Sequence, residues 1–391
     1  MATRLLYVPS SAALPEGVRR GSARPPELRD ESYESQFDWD TFVYDGFHDD
    51  GVYHLIAPPL WGQDWRIDMA AAFGTVGADL LAMQWLDKSL RIKARLRPGS
   101  AVTTTMVVPF LQSNPVSLTI GTPARNDIFA GQRVLVTMSK DNEIAWIRDW
   151  IRFHVRVHGA TGVLIYDNGS QRYTPQELLD GLSDLEVGAI VVVSWPFKYG
   201  PQGILKTNTH WDSNFCQHGG LEHARYFFLQ KALSFLNCDV DELVVPADGR
   251  RSVFDEAEQR PGYVYFYGQW IEPLTIDGGK SPPIDQRRHR DFVLRKSDPE
   301  ARFHGAHKYC VAMTRLTDAM QCATHRIVDA QHHGQYAFSD TPLSQEFVYR
   351  HFKAINTNWR WQRDWVQATA LEGLEVDEPL KGLMDISIGG P

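Results

Sequence analysis

The sequence predicts an α/β protein in two parts: a β-rich accessory segment, residues 1–128, and a Rossmann-like unit, residues 129–391. Three observations carry this. Leu90–Leu96 (LRIKARL) alternates apolar and polar residues strictly, the period of a half-buried strand. From Arg133 onward, continuous apolar runs alternate with helical patterns, as a parallel sheet covered on both faces requires. Polar clusters then follow the ends of these runs, where open α/β sheets bind ligands.

The elements follow in order. Ala101–Pro109 and Pro115–Gly121 are β-branched and bounded by turn residues, so both read as strands. The β-rich segment as a whole reads as a small structural domain of sandwich type. Arg133–Met138 opens the second part as a strand. Asn142–His158 is a helix, with Ile144, Ile147, Ile151 and Val155 on one face. Gly162–Asp167 is the next strand. Thr174-Pro175-Gln176-Glu177 is a capping box with proline at the first helical position, starting a helix to Leu182. Ala189–Trp195 is the third strand, Gly219–Ala232 is helical, and Ser234–Cys238 is the fourth strand. Tyr263–Pro273 reads as another strand, ending in Trp270 and Glu272.

The polar clusters are Ser139–Glu143, Asp167–Ser170, Lys198–Gly203 and Asp239–Glu242. The first three have ordinary readings as helix openings or turns. The acidic run Asp239-Val240-Asp241-Glu242 does not. In an extended chain Asp239 and Asp241 point the same way, and converging carboxylates beside a buried strand raise one another's pKa. A divalent cation removes that cost, and hard oxygen ligands suit magnesium, manganese or calcium.

Composition narrows the class. A net charge of −8 argues against a nucleic-acid binder, whose surface must neutralise phosphates. The four cysteines form no C-x-x-C pair and read as reduced thiols. The opening MATRLLYVPSSAALPEG has an apolar run too short for a signal peptide, and no stretch is long enough to span a membrane. The expectation is a cytoplasmic protein, either free or peripheral to the inner membrane. His304-x-x-His307 lacks the cysteine or carboxylate spacing of a zinc site.

From Arg133 to Trp361 the chain resembles glycosyltransferase family 92 and its bacterial relatives. The resemblance rests on VLVTMSKDNEIAWIRDWIRFHVRVHGATGVLIYDNGS, WPFKYGPQG, LNCDVDELVVP and the late EFVYRHFKAINTNW. Two features depart from the family pattern: the chain shows no membrane anchor, and the late His-Tyr pair is His351-Phe352 here. The resemblance implies a GT-A fold and inverting transfer of a hexose from a nucleotide sugar, a UDP-hexose, to a glycan acceptor. It implies Asp239, Asp241 and His351 as ligands of a manganese or magnesium ion. Lys140, Asn142, Glu143, Asp167, Asn168, Gln202 and Gln217 are expected on the donor side, Trp270 against a sugar, and Lys308 and Arg350 beside the diphosphate. Inversion needs a base on the face opposite the leaving group, and Glu272 is the first candidate, ahead of Asp277, Asp285 and Asp340. Competing readings are a GT-A nucleotidyl or phosphosugar transferase, which would carry a Gly-rich basic loop after the first strand, and an inactive glycan-binding protein. The sequence leaves the oligomeric state open.

Overall fold

The computed structural model describes residues 2–62, 65–109, 114–201, 212–259, 262–278, 281–329, 337–338, 342–357 and 370–388. Gln202, Asp340 and Trp361 lie outside them. In chain order the elements that build the fold are β1 (Thr3–Tyr7), β2 (Asp45–Asp49), β3 (Val52–Ala57), α1 (Arg66–Thr75), β4 (Ala78–Trp85), β5 (Leu90–Leu96), β6 (Thr105–Val108), β7 (Val116–Thr119) and β8 (Thr122–Pro123). Then come β9 (Arg133–Ser139), α2 (Ile144–His158), β10 (Gly162–Asp167), α3 (Pro175–Leu182), β11 (Ala189–Ser194), α4 (Phe215–His223), β12 (Ser234–Asn237) and β13 (Glu242–Pro246). The last are β14 (Tyr263–Ile271), β15 (Phe303–Ala312), β16 (Phe347–Phe352) and α5 (Glu378–Ser387).

Among the described residues the central sheet has nine strands in the order β1-β11-β10-β9-β12-β15-β14-β16-β13. Its first half is parallel from β1 to β12. β15 then joins β12 antiparallel, which makes the sheet mixed. Successive residues of β9 feed opposite cores. Leu135 packs with Trp146, Ile147 and Trp150 of α2 and Leu178 of α3, whereas Val134 and Val136 pack with Phe47, Ile56 and Cys216. That two-sided burial explains why these strands read as unbroken apolar runs.

The local signals act as expected. Thr174 accepts the Glu177 N–H while the Glu177 carboxylate takes the Thr174 N–H, so the capping box is complete. Gly159 ends α2 in a left-handed conformation, φ 70°. The helix expected over Gly219–Ala232 instead begins at Phe215 and gives way to a π turn at Ala224–Phe228.

The accessory segment differs from its expectation in two ways. It is a five-stranded sheet, β8-β2-β3-β5-β4, sharing a core with α1 and the β6–β7 pair, rather than a sandwich. It is also not separate from the rest. β1 is the edge strand of the central sheet, with Thr3–Tyr7 in parallel register with Ala189–Val193. Arg91 of β5 pairs with Glu222 of α4 at 2.7 Å, both fully buried. Asp45 of β2 accepts from Tyr7 at 2.7 Å and meets His223 at 2.9 Å, and His223 meets Tyr166 at 2.8 Å. A boundary at residue 128 therefore cuts through a shared sheet and a buried polar network. The periodicity of β1 is local, but its partner lies more than 180 residues away, so no window of sequence contains the pairing.

Candidate active site

The acidic run forms the turn from β12 to β13, where the parallel half of the sheet ends. Its backbone is held at three points. The Glu242 N–H donates to Asp239 O at 3.0 Å, and the Phe352 N–H donates to Asp241 O at 2.9 Å. His289 bonds the Val240 carbonyl through Nε2 at 3.0 Å. Two of these three partners, Phe352 and His289, lie outside the turn.

Sheet register then aligns the site. β16 pairs with β13 on one side and β14 on the other, placing His351 opposite both Glu242 and Trp270. His351 Nε2 lies 3.0 Å from Asp241 Oδ2, and Nδ1 lies 4.0 Å from Glu242 Oε1. One ligand atom each from Asp241, Glu242 and His351 falls within 4.8 Å of the others. Two carboxylate oxygens and an imidazole nitrogen suit manganese or magnesium, so these residues fit a divalent cation. Trp270 stacks on His351 with ring centroids 4.4 Å apart, and His304 stands against both rings.

Asp239 is placed differently from the expectation. Its Oδ2 receives Lys308 Nζ at 2.7 Å, and the same ammonium reaches Glu242 Oε2 at 3.1 Å. Lys308 is fully buried. Burial works to lower its pKa, but the carboxylates of Asp239 and Glu242 outweigh it and hold the ammonium above its ordinary value. Burial pushes the Glu242 carboxyl up, opposed by Lys308. Sequence reasoning does not single out Glu242, because it opens an apolar strand and reads as its first residue. The useful signal is its adjacency to Asp241, with Lys308 far downstream as the missing counter-ion.

The carboxylates face a cleft of about 320 Å³, lined also by Lys140, Asn142, Asn214, Gln217, His304, Asn356 and Thr357. Of the expected donor residues, Lys140, Asn142 and Gln217 line it. Gln217 accepts from Tyr199 Oη at 2.9 Å. Gln202 lies outside the described residues, and the remaining three are occupied at the strand ends. Glu143 stands at the N-cap position of α2, and its carboxylate pairs with Arg172. Asn168 donates to the carbonyls of Trp195 and Phe197 at 2.8 Å. Asp167 is buried, which pushes its carboxyl up, and it accepts from Ser170. Asp141, with φ 55°, ties two loops together by accepting the N–H groups of Gln171 and Arg172.

Two further expectations shift. Glu272 is buried and pairs with Lys353 at 2.7 Å, and Lys353 in turn lies 5.5 Å over the Trp270 ring. It is not among the residues lining the cleft. A base must reach the acceptor hydroxyl, and a carboxylate locked to a buried lysine is instead a brace for Trp270. Arg350 pairs with Asp377 at 2.5 Å inside the protein rather than facing a diphosphate. The four cysteines are free and buried. Among the described residues no helix is long and apolar enough to cross a membrane.

Residues 136–377, well over half of the chain, match the model of glycosyltransferase family 92. The chain belongs to glycosyltransferase family 92. The matched span starts in β9 and runs past β16, so in this family member it takes in Asp241, Glu242 and His351. Comparison with curated proteins finds no match. Among solved structures, the family member is similar to core-mannan synthase A from Aspergillus fumigatus in its Mn/GDP form, with 10% identity and a TM-score of 0.25 over 51% of this chain and 57% of that one. It is similar to an active-site mutant of LgtC at 13% identity and TM-score 0.25, over 46% and 58%. It is also similar to the mannosyltransferase Ktr4p from S. cerevisiae bound to GDP, at 12% and 0.24, over 39% and 45%. The matches thus span about half the length of those chains. Likeness this remote carries no argument about the site.

Proposed function

We propose that this protein is a metal-dependent glycosyltransferase with a GT-A-type nucleotide-binding half, moving a hexose from a nucleotide sugar, a UDP-hexose, to a glycan acceptor with inversion. The observation that carries the reading is the cluster of Asp241, Glu242 and His351 at the end of the parallel strands, inside a cleft. The family match supports the reaction class. The donor base and inversion rest on the sequence resemblance alone.

Asp241, Glu242 and His351 would hold the cation. When bound, it would neutralise charge on the departing nucleotide diphosphate. The chain's own residues do the rest. Lys140 brings a cation to the cleft, and Asn142 and Gln217 offer amides that can orient the donor. Asn142 is itself oriented by a bond from Nδ2 to Ser139 Oγ at 3.0 Å. Trp270 stands edge-on to His304, stacks on His351 and is not among the residues lining the cleft, so it supports the cluster through His351.

The test is calorimetric titration with UDP-glucose, UDP-galactose, UDP-N-acetylglucosamine and GDP-mannose, each with and without manganese. At least one UDP-sugar should bind only with metal, and Asp241→Asn should weaken that binding by about tenfold or more, because an amide is a poor ligand for a hard cation. Metal-independent binding of equal strength in wild type and variant would sink the proposal. So would binding of GDP-mannose alone, for the donor.

A further inference from the structure

We propose that Lys308 is a positioning residue that divides the acidic run, diverting Asp239 from the cation and leaving Asp241 and Glu242 to hold it. This rests on the metal reading of the site. The sequence offers three carboxylates within four residues, and a D-x-D spacing suggests that Asp239 and Asp241 act together. The geometry separates them. Tyr309 is the register partner of Asn237, so Lys308 sits just beyond the end of β12, beneath the turn. Its Nζ is 2.7 Å from Asp239 and 3.1 Å from Glu242 Oε2. Glu242 Oε2 also accepts the Asp239 N–H at 2.9 Å, so this oxygen is committed and Oε1 is the one toward His351.

Charge explains why such a division is useful. Three carboxylates and one buried ammonium sum to −2, the complement of a divalent ion. Without the ammonium the sum is −3. Such a site would hold a bare cation more tightly and leave it less able to attract a diphosphate, because the third carboxylate competes for the same charge. Lys308 is fully buried, so it cannot serve the diphosphate directly. It sets how much of the metal's charge is left for the donor.

The experiment titrates Mn²⁺ alone, and then UDP in the presence of Mn²⁺, into the full-length protein. Lys308→Met should tighten Mn²⁺ and weaken Mn²⁺-dependent UDP binding, each by about tenfold, as expected for one uncompensated charge close by. A merely structural lysine would weaken both, and that result overturns the proposal. The double variant Lys308→Met/Asp239→Asn removes both charges together and guards against misfolding of the single one, since deleting both members of an ion pair is tolerated better than leaving one charge without its partner. Its Mn²⁺ affinity should stay within about threefold of wild type, whereas Asp241→Asn loses about tenfold or more. A double variant as weak as Asp241→Asn would make Asp239 a ligand and overturn the division. Wild-type protein that binds no Mn²⁺ would remove the metal reading itself, and this proposal with it.

Discussion

At the scale of single residues, the site shows how a buried charge is matched one partner at a time. Glu272 is the sharpest case. Its burial and its 2.7 Å bond to Lys353 make it structural. Glu272→Gln still offers Lys353 an acceptor, so transfer should stay within about threefold. A fall of about 10²- to 10⁴-fold, measured by steady-state transfer, would return Glu272 to the role of base. Glu272→Ala strands a buried ammonium and should cost about 3–5 kcal/mol in urea unfolding. The residue-scale chemistry was partly legible. Asp241 and His351 were readable because each sits in a recognisable motif. Glu242 was not, and Lys308 was expected beside a diphosphate rather than between Asp239 and Glu242. One reads as a strand opener, and the other meets its partners only through the β12–β15 pairing.

Among the elements, strands and helices with local signals were readable: the capping box, the β-branched runs and the apolar stripe of α2 all formed where the sequence places them. What sequence could not supply was register between distant strands. The row Glu242–His351–Trp270 exists because β16 inserts between β13 and β14, antiparallel to one and parallel to the other. β1 is the same lesson, since a strand from the stretch assigned to the accessory segment closes the edge of the central sheet. A chain beginning at residue 130 would lose that strand and Tyr7, leave the β11 edge bare, and strand Glu222 without Arg91. It should not give a soluble, cooperatively unfolding protein. A single sharp urea transition from that chain would show that the two parts fold independently after all.

For the molecule as a whole, buried neutral histidines set the response to acid. Burial lowers His54 to about 3 and His158 to about 4, and drives His154 well below its ordinary value. In the unfolded chain each returns to an ordinary value of about 6.5. The unfolded state therefore binds more protons, so stability rises with pH through this window and is lost as pH falls from about 6.5 toward 4. His54 and His158 should each remove on the order of 2 kcal/mol by about pH 5. Urea unfolding of the metal-free protein at pH 7, 6 and 5 measures this. His158→Asn, which keeps a polar group near the Val244 carbonyl now bonded at 2.8 Å, should flatten the profile. An unchanged profile would mean that other groups govern acid stability.

The edge position of β1 has a consequence for synthesis. Thr3–Tyr7 leaves the ribosome well before its partner Ala189–Val193, which is made only after some 180 further residues. At about 5–20 residues per second, the wait is roughly 10 to 40 seconds. During that interval Leu5 and Leu6, which pack against the cores of the finished protein, have no sheet to join. This segment of the nascent chain is therefore a natural stopping point for a chaperone that binds short extended apolar segments, and it must be released before this edge of the sheet can close.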